Sequence, residues 1–188
     1  MTGNSTGTLW TIGHSTRAWE DFVAMLLAAR IEVLADVRRF AGSRRNPQFS
    51  GLAMGAELAK SDIDYLPMPD LGGRRPARAD SPNVAWRNAS FRGYADYMQT
   101  ADYRAARERL LGLAQQKRVA VMCAEAMWWQ CHRSLIADDF KAAGWEVIHL
   151  LSPGRQQEHP YTSAARIIDG RLDYTARAEG GQQASLFP

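Results

Sequence analysis

Apolar runs alternate with polar clusters along this chain, and three of the runs end in groups that can do chemistry. Leu9 to Ile12 leads into Gly13-His14-Ser15, Val33 to Ala35 into Asp36-Val37-Arg38, and Val119 to Met122 into Cys123-Ala124-Glu125. Short, nearly continuous apolar runs rich in β-branched residues predict strands covered on both faces, as in parallel sheets. In open α/β sheets the ligand crevice lies outside the carboxyl ends of the strands, so three such endings predict one site along one rim.

The pattern between the runs predicts a single α/β layered domain with a mainly parallel central sheet of about five strands flanked by helices. Thr8 to Ile12 reads as the first strand. Ser15 or Thr16 is expected to cap a helix whose apolar face carries Phe22, Val23, Leu26 and Leu27 at helical spacing and which ends near Arg30. Ile31 to Val37 reads as the second strand and completes a βαβ unit. A basic loop broken by Gly42, Asn46 and Pro47 follows, then a short helix from Leu52 to Lys60 and a weaker strand from Ile63 to Met68. Leu71 to Asn88 reads as a long loop and candidate lid. Phe91 to Gln116 predicts a long helix with a break near Thr100. Val119 to Cys123 is then the central strand, Cys131 to Ala143 a helix ended by Gly144, and Glu146 to Leu151 the last strand. The domain is expected to span 1–176, with 177–188 a mobile tail.

Composition narrows the picture. With 188 residues and 46% hydrophobic content the chain can bury one substantial core. No run approaches the roughly 18 apolar residues of a spanning helix, and the first seven residues lack the pattern of a signal peptide, so the expectation is a cytoplasmic protein with no membrane partner. Two cysteines are too few for a disulfide framework, and unlinked thiols are expected. The net charge is only +3, but Arg38, Arg39, Arg44 and Arg45 fall in one loop and Arg74, Arg75 and Arg78 in another. Guanidinium forks match phosphate and carboxylate bidentately, so two such loops on one rim suit an anionic ligand, against the plainer reading of solvated loop charges.

Thr11-Ile12-Gly13-His14-Ser15, Asp36-Val37-Arg38, Leu71-Gly72-Gly73 and Cys123-Ala124-Glu125 followed by Cys131-His132-Arg133 resemble the signature of the Domain of Unknown Function 488 family. The resemblance covers roughly Leu9 to Leu151. It implies a bacterial or archaeal, cytoplasmic α/β protein and brings with it no settled activity or cofactor.

The candidate chemistry rests on the residues themselves. Asp36 and Glu125, at the ends of two strands, form a candidate carboxylate pair of acid and base, and His14 is a candidate ligand contact or proton carrier. The plainer alternative pairs Asp36 with Arg38 and Glu125 with Arg133. Ser15 near a helix N-terminus, Arg38, Arg74, Cys123, His132 and Arg133 are the candidate ligand-binding residues. The cysteine spacing fits neither a zinc knuckle nor a redox motif, so neither a metal nor a cofactor is assigned, zinc on Cys123, Cys131 and His132 being the lesser alternative. Trp128 and Trp129 pack on the core or offer a stacking surface for a base.

Near the end, Gln183-Ala184-Ser185-Leu186-Phe187 resembles the peptide with which bacterial replication and repair proteins bind the DNA sliding clamp. Gln183, Leu186 and Phe187 are therefore candidate partner-binding residues. Two functions follow. One is an enzyme acting on a nucleotide or nucleic acid, hydrolysing a glycosidic or phosphate bond and linked to DNA repair or replication. The other is a non-catalytic anion- or nucleotide-binding module recruited to the clamp. The carboxylates favour the enzyme, because on a purely anion-binding rim they repel the ligand.

Overall fold

The computed structural model describes residues 6–175. Among them the chain forms strands β1 (Thr8–Gly13), β2 (Val33–Asp36), β3 (Asp64–Pro67), β4 (Val119–Cys123), β5 (Glu146–Ser152), β6 (Arg155–Glu158), β7 (Arg166–Ile168) and β8 (Arg171–Asp173). Its helices are α1 (Trp19–Ala28), α2 (Gly51–Ala59), α3 (Ala89–Met98), α4 (Ala101–Ala114) and α5 (Arg133–Ala142). Six strands make one sheet in the order β3-β2-β4-β1-β5-β6, with β7 and β8 a separate hairpin. The first five strands pair in parallel, and β6 returns antiparallel along β5. No helix among the described residues is long and apolar enough to cross a membrane.

The strands that read as continuous apolar runs are those buried on both faces. Val33, Ala35, Val119 and Val121 turn toward a core completed by Tyr94, Leu110, Leu135 and Phe140 of α3, α4 and α5. Leu34, Ala120, Met122 and Ile12 turn the other way, onto Phe22, Leu26, Met54 and Leu58 of α1 and α2. The alternation follows from the two-residue period of a strand and produces a three-layer α/β/α arrangement. The first unit does not place β1 beside β2, because β4 lies between them.

Local chemistry sets the ends. The expected helix break falls at Thr100, whose hydroxyl accepts from the Tyr103 amide and caps α4, while the Asn88 side chain caps α3. Gly144, at φ +86°, terminates α5. The expected cap by Ser15 or Thr16 is corrected. Ser15 sits at φ +46° in a turn closed by the Arg17 amide on the His14 carbonyl, and α1 starts after Ala18 with no side-chain cap. The expected lid is tied down, since Asp96 accepts from the Arg78 amide, the Ser81 hydroxyl and the Asn83 amide group. Sequence reading missed β6, β7 and β8.

A buried polar chain holds the segment between β4 and α5. Asp138 accepts from the His159 ring at 3.0 Å, from the Thr162 amide and hydroxyl at 2.9 and 2.5 Å, and from the Tyr174 hydroxyl at 2.8 Å. Because Asp138 takes the proton on His159 Nε2, His159 Nδ1 accepts from His149 Nε2 at 2.9 Å, and His149 Nδ1 accepts from the Thr11 hydroxyl at 2.6 Å. Trp128 stacks flat on His149 at 4.6 Å, so the network fixes the loop that carries the rim residues. Asp138→Ala strands four donors, each costing about 1–3 kcal/mol when buried without a partner. Urea unfolding is expected to register a loss of about 3 kcal/mol or more, and a loss below about 1 kcal/mol contradicts this role.

Candidate functional site

The polar endings of β1, β2 and β4 meet. The His14 amide donates to the Cys123 carbonyl at 3.1 Å and the Ser15 amide to the Ala124 carbonyl at 2.8 Å, so β1 and β4 stay laced beyond their ends. Gly13 permits this approach, since a Cβ there would overlap the Glu125 carbonyl oxygen.

Asp36, 1% exposed, is committed to Arg38. Its carboxylate accepts from the Arg38 backbone amide at 3.0 Å, from Nε at 2.9 Å and from Nη2 at 2.6 Å, and it takes the Tyr65 hydroxyl at 2.6 Å. Burial and the bond to Asp36 keep that hydroxyl protonated. Arg38 Nη1 donates onward to the Phe49 carbonyl at 2.8 Å and to His14 Nε2 at 3.2 Å. Since guanidinium only donates, His14 carries its proton on Nδ1 and gives it to the Ser15 carbonyl at 2.9 Å. Burial lowers the His14 pKa, and the ring stacks on Phe49 at 4.5 Å. Asp36, Arg38 and His14 thus form one buried relay behind the rim.

In front of it lies a cavity of about 680 Å³. Arg38, Arg39, Arg44 and Arg74 line it with Glu125 and His132. A smaller chamber of about 270 Å³ adjoins it and shares Gly73, Arg74, Glu125 and His132. Neither chamber is lined by Asp36, His14, Ser15 or Arg133. Glu125 is exposed, and its Oε2 lies 3.5 Å from Cys123 Sγ. Arg39 donates to the Arg74 carbonyl at 3.1 Å, fixing one arginine loop against the other. Arg74 holds φ +58°. The remaining arginines of its loop turn elsewhere: Arg75 lies over the Tyr97 ring and Arg78 pairs with Asp80.

His132 packs under the Gly73 turn, where a Cβ would come within 2.7 Å of its Nδ1. Burial pulls its pKa down to about 4. Arg133 is 2% exposed and donates Nη2 to the Ala126 carbonyl at 3.1 Å, while Nε and Nη1 find no partner among the described residues. Burial lowers its pKa to about 9, opposed by the charge of Glu125. The expectation of unlinked thiols is corrected: Cys123 and Cys131 are paired sulfur to sulfur, their Cα atoms 7.6 Å apart. Trp128 belongs to the core, whereas Trp129 lines the smaller chamber. Sequence reading missed Phe40, a 67% exposed ring on the cavity wall. Its signal was a large apolar residue inside a basic loop. Gln183, Leu186 and Phe187 lie outside the described residues.

A further cavity, of about 640 Å³, opens across α3, α4 and β8. Within its wall Asp139 takes both the Tyr103 hydroxyl and Arg107 Nε at 2.8 Å, while Arg104 and Arg171 also line it.

The family model described as "Domain of unknown function DUF488" matches residues 18–140, so the chain belongs to that family. No curated protein and no solved structure matches it.

The histidines set an acid limit on stability. Burial is the main cause that draws His132 to about 4 and His149 to about 2, both below the ordinary 6.5. A group with a depressed folded pKa binds fewer protons folded than unfolded, so its contribution is complete above about pH 6.5 and lost as pH falls below it. Between pH 6.5 and 4 each is expected to remove up to about 1.4 kcal/mol per pH unit. Urea midpoints measured down this range should fall less steeply in His132→Asn, and identical slopes contradict the assignment.

Proposed function

We propose that this member of the family is a hydrolase acting on a phosphate-bearing nucleotide or nucleic acid, cleaving a glycosidic or phosphate bond in the 680 Å³ cavity. The observation that carries the reading is the imbalance of charge on its wall. Arg39, Arg44 and Arg74 reach it with no carboxylate partner among the described residues, while Glu125 is its one carboxylate. The arginines bind phosphate as bidentate donors. Phe40 offers an exposed face on which a base can stack. Glu125, free of any ion pair among the described residues, acts as general base on a water. Asp36 and His14 act as positioning residues, holding Arg38 at the cavity wall.

One observation favours the second reading, a non-catalytic anion- or nucleotide-binding module. Asp36 is saturated by Arg38 and Tyr65, which leaves one carboxylate where acid–base chemistry often uses two. Glu125→Gln separates the readings. For the hydrolase, turnover of a panel of nucleotides and short oligonucleotides is expected to fall about 100-fold or more while binding persists or tightens. Binding without turnover in the unaltered chain selects the module, and wild-type turnover in Glu125→Gln removes Glu125 as the base.

Recruitment to DNA forms part of the same proposal and rests on Gln183, Leu186 and Phe187. Burying two large apolar side chains in a groove is worth about 1.5–3 kcal/mol each before the cost of ordering the segment. Leu186→Ala with Phe187→Ala is expected to abolish sliding-clamp binding in a pull-down or calorimetric titration, and an intact chain that does not bind the clamp ends the proposal.

A further inference from the structure

Two thiols and one buried cation at this rim are left unused by the hydrolase reading. Cys123 closes β4, Cys131 precedes α5, and their sulfurs and a Glu125 carboxylate oxygen all lie within 4.8 Å of one another. The Cα atoms of the cysteines stand 7.6 Å apart, outside the range of about 4.4–6.8 Å usual for a disulfide. The backbone thus holds the two side chains wide while aiming both at one point beside the carboxylate.

We propose that the reduced cysteine pair, with Glu125, binds a zinc ion, the sulfur-to-sulfur pair being the oxidised, metal-free form of the same site. Two thiolates and a carboxylate suit a borderline-soft dication, and three protein ligands leave a fourth position open, the pattern of catalytic rather than structural zinc. That position faces solvent-accessible space, because Cys123 and Glu125 line the larger chamber and Glu125 and Cys131 the smaller.

Charge supplies the independent argument. Arg133 is buried with Nε and Nη1 unpaired, and a buried cation needs compensating negative charge nearby. A dication bound by two thiolates and one carboxylate carries a net charge of −1 and provides it, whereas a disulfide is neutral. His132 Nδ1, 3.5 Å from Cys131 Sγ, sits within hydrogen-bond reach of that sulfur.

The conversion balances. A dithiol reductant supplies two electrons and two protons to open the sulfur–sulfur bond and leaves as its own disulfide, after which the metal displaces both thiol protons to solvent. The inference goes beyond the hydrolase reading and does not depend on it. With the ion bound, Glu125 would serve as a ligand beside Cys123 and Cys131, and the ion rather than the carboxylate would supply the activation of a water.

Cobalt(II) serves as the probe. The 188-residue chain is reduced with a dithiol, exchanged anaerobically into dithiol-free buffer and titrated with Co²⁺. One equivalent is expected to bind with thiolate-to-cobalt charge-transfer absorption and the intense visible bands of four-coordination, and Zn²⁺ is expected to displace it. Cys131→Ser is expected to abolish the charge-transfer band, and Glu125→Gln to weaken Co²⁺ binding about tenfold or more. Because Glu125 is exposed, its variant tests the site even where Cys131→Ser does not fold. A reduced chain that gives no thiolate-to-cobalt band overturns the proposal, as does a band unchanged in both variants. Metal binding without nucleotide turnover defeats the hydrolase reading alone, and turnover without metal binding defeats this one alone.

Discussion

Beyond Gly13 and Cys123, the last paired residues of β1 and β4, the two chains remain joined by the His14 amide on the Cys123 carbonyl and the Ser15 amide on the Ala124 carbonyl. Parallel neighbours usually part at their carboxyl ends, each turning toward its own helix. Here the backbones run together for two residues more, which is sterically open only because position 13 lacks a Cβ. That constraint places Glu125 on the rim and His14 behind it. It also forces Ser15 into the left-handed region, so α1 begins later than its sequence signals suggest.

The second consequence concerns the carboxylates. Asp36 could have been one half of an acid–base pair, but its oxygens receive a backbone amide, two guanidinium nitrogens and a phenol. A carboxylate so supplied is held in one orientation, and its work is to hold Arg38 against His14 and the Phe49 carbonyl. Such a buried pair gives rigidity rather than proton transfer, and a guanidinium anchored on one side makes a fixed wall on the other.

How much of this could be read from residues alone varies with the physics of each element. The five parallel strands were legible because burial on both faces writes itself as apolar runs, and the break at Thr100 because a threonine cap has local chemistry. The strands β6, β7 and β8 were not legible by periodicity, since Arg155–Glu158 is polar throughout and the other two are three residues long. Their turns did carry a signal: Asp169 and Gly170 both take positive φ, as an Asp-Gly hairpin requires. The convergence of three rim clusters was legible from strand endings. Which groups face solvent was not, because the Asp36 relay depends on side-chain directions that only the packed sheet defines.

The charge of the cavity constrains what can occupy it. Arg39, Arg44 and Arg74 against Glu125 leave an excess of two positive charges, with Arg38 already neutralised by Asp36. A terminal phosphate carries about −1.5 to −2 at neutral pH and matches that excess, whereas a single phosphodiester linkage matches half of it. On the hydrolase reading a strand therefore fills the wall only by presenting two neighbouring phosphates, one to the loop that carries Arg39 and Arg44 and one to Arg74. The bond from Arg39 to the Arg74 carbonyl holds those two loops together, so the spacing of the two phosphate positions is built in before any ligand arrives.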